Sequence, residues 1–179
     1  MNDLALHILD IMQNSISANA SYISLVICED IGADLLTIII KDNGKGMTKE
    51  QVDKLADPFF TSRTTRKVGL GIPLFKQSAI QSGGSLDVES EVGVGTTVKA
   101  IFGYSNIDRP PLGNVANAFI LMVSCNPNIR FELKYIYNGN EYIFDSFEVK
   151  DVLGDMPLSD AGVIKMLTEM IEENIKELK

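Results

Sequence analysis

Asp42-Asn43-Gly44-Lys45-Gly46-Met47 follows the apolar, β-branched run Leu35 to Ile40, and the reading of this hexapeptide decides the fold. Taken alone it defines nothing, because turn-forming residues after a strand are common. Three other segments, however, stand in order around it. A helical stretch upstream carries Asp10 and Asn14, and downstream come Val68-Gly69-Leu70-Gly71 and Gly93-Val94-Gly95-Thr96-Thr97. Four polar or glycine-rich elements in this order describe one composite site built from distant parts of the chain.

The elements that would carry them are legible from periodicity. Leu4, Ile8, Ile11, Met12 and Ser15 recur at helical spacing between Asp3 and about Ala18, with Asn2 or Asp3 as the N-cap. Ser21 to Glu29 and Leu35 to Lys41 read as strands of a hairpin closed by Asp30-Ile31-Gly32-Ala33-Asp34. Thr48 with Gln51 three residues later forms a capping box for a short helix, Lys49 to Leu55. Asp57 to Lys67 has no period and reads as a loop. A helix follows from Ile72 to Gln81, stopped by Ser82-Gly83-Gly84, and then strands Ser85 to Ser90 and Thr96 to Phe102. This α-β-β-α-α-β-β order predicts an α/β (α+β) two-layer sandwich, a mixed sheet covered by helices on one face.

Asp108-Arg109-Pro110-Pro111 interrupts the pattern and is the candidate boundary between a unit at 1–105 and a C-terminal α+β segment at 106–179. In that segment Ala116 to Val123 reads as helix. Arg130 to Tyr137 and Glu141 to Phe147 read as a hairpin about Asn138-Gly139-Asn140, and Asp160 to Leu178 as a helix with Ser159 as N-cap. The segment carries no chemical motif.

Composition narrows the function classes. A chain of 179 residues with 45% hydrophobic content can bury a core without a disulfide or metal staple. Its net charge of −8 argues against a nucleic-acid or anionic-membrane surface. Cys28 and Cys125 read as small buried hydrophobes, and with the single His7 they form no zinc pattern. No apolar run reaches the ~18 residues of a membrane span and no signal-peptide pattern opens the chain, so a cytoplasmic protein is expected.

The chemistry lies in the four segments. Asp10 and Asn14 project from one helix face, one turn apart. An amide oxygen from Asn14 can complete the oxygen shell of Mg²⁺, and a carboxylate at Asp10 can hold or activate a water near a γ-phosphate. Asp42 can accept a hydrogen bond from the exocyclic amine of adenine, while Gly44 and Gly46 let backbone approach the base. Thr97, on another strand, would add a hydroxyl beside that carboxylate. Gly69 and Gly71 precede a helix and aim backbone N–H groups at an anion, and Arg63, Arg66 and Lys67 can reach a terminal phosphate. Each element also has a plain structural reading: a solvated helix face, a strand-ending Asx turn, a loop-to-helix turn, a solvated charge run. Their joint order is what a nucleotide accounts for.

These residues resemble the GHKL ATPases, the superfamily of gyrase-type ATPases, ninety-kilodalton chaperones, histidine kinases and MutL. Asp10-Ile11-Met12-Gln13-Asn14-Ser15-Ile16-Ser17-Ala18-Asn19-Ala20 is similar to the asparagine box in its MutL-like wording. Asp42 to Met47 resembles the first glycine box, Asp57-Pro58-Phe59-Phe60-Thr61-Ser62-Arg63 the phenylalanine box of histidine kinases, Val68 to Ile72 the second glycine box, and Gly93 to Val98 the last. The resemblance spans about residues 1 to 103 and implies the Bergerat fold, with ATP between sheet-covering helices and a lid. It implies Asn14 as Mg²⁺ ligand, Asp42 as adenine reader and Gly69 and Gly71 as phosphate cradle. Gly44, Gly46, Met47, Phe60, Leu70 and Thr97 complete the nucleotide-binding set, and Asp10, Arg63, Arg66 and Lys67 are the catalytic candidates. Two departures stand out. Asp10 occupies the place where many hydrolysing members carry Glu, and Arg63 the place where they often carry Lys.

A histidine kinase needs a phosphoacceptor His on a dimerising hairpin, whereas His7 lies on the first helix with six residues before it. The expectation is therefore a stand-alone Mg·ATP-binding protein, acting as kinase or ATP-dependent switch on a separate protein partner. An anti-sigma-factor-like serine kinase or partner-binding regulator is the alternative. A MutL-like hydrolysing machine ranks third, since little chain follows the boundary to serve as a transducer.

Overall fold

A computed structural model of the chain describes residues 3–55 and 71–179. In chain order the elements are α1 (Leu4–Ser17), β1 (Tyr22–Asp30), β2 (Leu35–Asp42), α2 (Lys49–Leu55), α3 (Gly71–Gln81), β3 (Ser85–Glu91), β4 (Gly95–Gly103), α4 (Val115–Cys125), β5 (Arg130–Tyr137), β6 (Asn140–Asp145), α5 (Ser146–Leu153) and α6 (Ala161–Leu178). The described strands form one six-stranded mixed sheet in the order β3-β4-β2-β1-β5-β6. All neighbours are antiparallel except β1 and β5, a parallel pair whose crossover carries α4.

Alternation along the strands separates two faces. Ile23, Leu25 and Ile27 of β1, Leu36, Ile38 and Ile40 of β2, and Val98, Ala100 and Phe102 of β4 are buried under the helices. The intervening residues, among them Lys41, Thr97, Lys99 and Lys134, lie on the opposite face. The sandwich with helices over one face is thus the fold of the chain. α1 packs between α3 and α4, and its own buried row is Leu4, Ile8, Ile11 and Met12. Asp3 caps it by accepting from the Leu6 N–H at 3.0 Å. The Thr48–Gln51 capping box is present in both directions, at 2.9 and 3.2 Å.

The chain beyond Asp108 extends the same sheet. β5 lies in register along β1, from Tyr22 opposite Arg130 to Glu29 opposite Tyr137. Phe119 of α4 meets Phe131 and Phe144 edge-on, with ring centroids 6.1 and 5.6 Å apart. Three local expectations are corrected here. The strand expected to run to Phe147 ends at Asp145, because that carboxylate accepts from the Phe147 N–H at 3.0 Å and starts α5. The last helix is capped by Asp160, which accepts from Gly162 and Val163, rather than by Ser159. Cys125, at the end of α4, is exposed instead of buried.

Candidate functional site

The hexapeptide after β2 lies on the helix-covered side of the sheet, where a cavity of about 200 Å³ opens between α1, the loop after β2 and the start of α3. Its walls are mostly apolar: Ile11, Ala18, Ile40, Met47, Leu55, Ile72 and Val98. Asp42, only 8% exposed, is the carboxylate on this floor. Its Oδ1 accepts the Gly44 N–H at 2.8 Å and its Oδ2 accepts the Ser15 hydroxyl at 2.6 Å. A carboxylate aimed into an apolar slot with lone pairs to spare can accept from a flat ligand's N–H group.

Backbone geometry explains the glycine pattern. Gly46 has φ of +71°, and a Cβ there would overlap the Glu91 carbonyl, so the loop packs directly on the β3–β4 turn. The Gly93 N–H donates to the Lys45 carbonyl at 2.8 Å and the Met47 N–H to Ser90 Oγ at 2.8 Å, which stitch the two segments together. Lys45 itself also lines the cavity. Gly71 opens α3 against α1: a Cβ on it would stand 3.1 Å from the Asp10 Cβ. Gly71, the one described residue of the second glycine segment, therefore sits beside the helix that carries Asp10 and Asn14.

Asn14 lines the cavity one turn beyond Asp10. Asp10 is exposed by area, yet desolvation raises its carboxyl above the usual value. An amide on the cavity wall at Asn14, and a carboxylate at Asp10 beside the Gly71 start of α3, are donor types that fit a phosphate-bound Mg²⁺, which takes few protein ligands. Among the described residues no cluster of three or more His, Cys, Asp or Glu forms a metal site independent of phosphate.

The structure thus brings Asn14, Asp42, Gly46 and Met47 to one cavity, with Gly44 against Asp42, and sets Gly71 against Asp10 one turn before Asn14. Phe60, Arg63, Arg66, Lys67, Gly69 and Leu70 lie outside the described residues. Thr97 does not join the site. Asp42 pairs across the sheet with Thr96, and Thr97 pairs with Lys41 on the far face, so Thr96 lines the cavity instead. Alternation along the strand held the signal: Thr96 shares parity with Val98, Ala100 and Phe102. A serine inside an amphipathic helix has no distinctive sequence pattern, and the partner of Ser15 lies 27 residues away.

Residues 2–105 match the family described as histidine kinase-, DNA gyrase B- and HSP90-like ATPases. The chain is 34% identical over 96 residues to the sensor protein kinase GraS of Staphylococcus aureus (strain MRSA252), an alignment covering 49% of this chain and 28% of that protein. It is 41% identical over 61 residues to sporulation kinase D of Bacillus subtilis (strain 168), covering 34% of this chain and 12% of the kinase. The chain therefore spans less than a third of either kinase. Among solved structures it is similar to the MutL ATPase domain of Aquifex aeolicus in complex with ADP, with a TM-score of 0.52 at 16% identity over 86% of this chain and 69% of that one. Among the described residues no helix is long and apolar enough to cross a membrane.

Proposed function

The chain belongs to the histidine kinase-, DNA gyrase B- and HSP90-like ATPases, and from that premise we propose that it binds Mg·ATP and acts as a kinase or ATP-dependent switch on a separate protein. The observation that carries this reading is Asp42, buried in an apolar slot and held by two donors, with Asn14 at the same cavity. In it Asp42 accepts from the adenine amine, and Ile40, Val98 and Met47 flank the ring. Asn14 supplies an oxygen to Mg²⁺, which neutralises phosphate charge, and Gly69 with Gly71 offers backbone N–H groups to the phosphates. Phosphoryl transfer needs mainly positioning and charge neutralisation, which Arg63, Arg66 and Lys67 complete.

Asp10 is the group placed to hold a water or an acceptor hydroxyl, and its raised pKa strengthens it as a proton acceptor. The kinase relatives favour transfer to a protein over hydrolysis. ATP titration with and without Mg²⁺ tests the reading. Asp42→Ala abolishes binding, whereas Asp10→Ala binds ATP normally and loses turnover. Absence of Mg²⁺-dependent binding at millimolar ATP would sink the proposal. Transfer of radiolabelled γ-phosphate to a protein in lysate, against release of free phosphate, separates kinase from hydrolysing machine.

A further inference from the structure

We propose that Ser15 sets the base selectivity of the site: it is a positioning residue that holds Asp42 as a pure hydrogen-bond acceptor, so that a 6-amino purine is taken and a 6-oxo purine refused. This rests on the adenine-nucleotide reading above. Ser15 is 3% exposed on α1, and its Oγ lies 2.6 Å from Asp42 Oδ2. Its only other acceptor among the described residues is the Ile11 carbonyl at 3.4 Å, so the single hydroxyl proton goes to Asp42. The Gly44 N–H holds the other oxygen at 2.8 Å. With one donor from the helix and one from its own loop, the carboxylate is fixed in a single rotamer.

The second hydroxyl of this wall is committed as well. Ser90 Oγ meets the Met47 N–H at 2.8 Å, the Gly95 carbonyl at 3.1 Å and Thr96 Oγ1 at 2.8 Å. The N–H can only donate, so Ser90 accepts from Met47, and Thr96 donates to Ser90 when the Ser90 proton goes to the Gly95 carbonyl. Ser15 has no proton left for an incoming base. Asp42, held in this way, presents acceptors. An exocyclic amine finds a partner there, while a carbonyl oxygen meets lone pairs and stays unpaired in a buried slot, which is the costly case.

The test compares ATP, GTP and purine riboside triphosphate, which lacks any 6-substituent, on the full chain by competition binding. The wild type prefers ATP to both. Ser15→Ala lowers ATP affinity about tenfold and leaves purine riboside triphosphate within about twofold, as expected when one hydrogen bond to a carboxylate loses its support. Equal weakening of both ligands, or unchanged ATP affinity, overturns the inference while leaving ATP binding intact. A wild type that binds none of the three overturns the underlying reading and this one with it. If the alanine variant does not fold, Ser15→Cys keeps nearly the same volume with a weak donor and must show the same selective loss of ATP affinity.

Discussion

At the scale of single residues the site depends on which face of a strand a side chain takes. Asp42 and Thr96 share the covered face because they pair directly, and the neighbouring pair Lys41–Thr97 points the other way. Two adjacent threonines therefore face opposite sides of the sheet. Thr96→Val is expected to weaken ATP binding about three- to tenfold, the usual worth of a hydroxyl in a buried polar network, and Thr97→Val to leave it unchanged. Calorimetric titration of the two variants checks this, and equal effects would remove Thr96 from the site. Both threonines were legible as members of the last glycine box. Their facing follows from the parity of Val98, Ala100 and Phe102, which is sequence information that a motif match passes over.

At the scale of elements, α1 and α3 are joined at one end by Gly71 on Asp10 and further along by His7. That histidine is 2% exposed and stacks on Phe75 with centroids 5.1 Å apart, and Phe75 in turn reaches Phe102 of β4. Its Nε2 lies 3.4 Å from Ser78 Oγ, while Nδ1 has no hydrogen-bond partner among the described residues. Burial lowers the His7 pKa, so the folded chain holds it neutral. The unfolded chain takes up a proton near its ordinary value of about 6.5, and stability therefore falls as pH drops below that point. The loss levels off once the lowered folded value is also passed. The melting temperature should thus decline from pH 7.5 to pH 5.5, and His7→Phe should shallow the decline. Thermal melts across that range check it, and an identical slope in the variant would assign the effect to other groups. The sequence placed His7 on the first helix, where the structure has it. Its burial depended on α3, whose approach is a matter of packing.

At the scale of the whole molecule, the residues beyond Asp108 cover one flank of the sheet that carries the site. β5 pairs with β1, α4 packs on α1, and α6 buries Val163, Leu167 and Ile171 against them. Phe119 sits at the centre of this union, fully buried between Phe131 and Phe144. Phe119→Ala is expected to cost about 3–5 kcal/mol, the range for emptying an aromatic core position. Chemical denaturation should show that loss in one transition reported equally by probes near Asp42 and near β5. Two separated transitions would mean that the C-terminal residues fold as an independent unit.

Periodicity and turn chemistry by themselves determined most of the elements, because each signal is local: alternating apolar residues, the Thr48–Gln51 box, the glycines after α3. The order of the polar and glycine-rich segments likewise identified the family, since those residue types are required by the ligand whatever surrounds them. Tertiary structure alone decided which hydroxyl meets Asp42, that Ser15 belongs to the site, and that the last third continues the sheet. Those outcomes rest on register and on contacts between residues distant in the chain, such as Ser15 with Asp42 and β1 with β5. Such contacts leave no local pattern, because each partner is chosen by the shape of the packed whole.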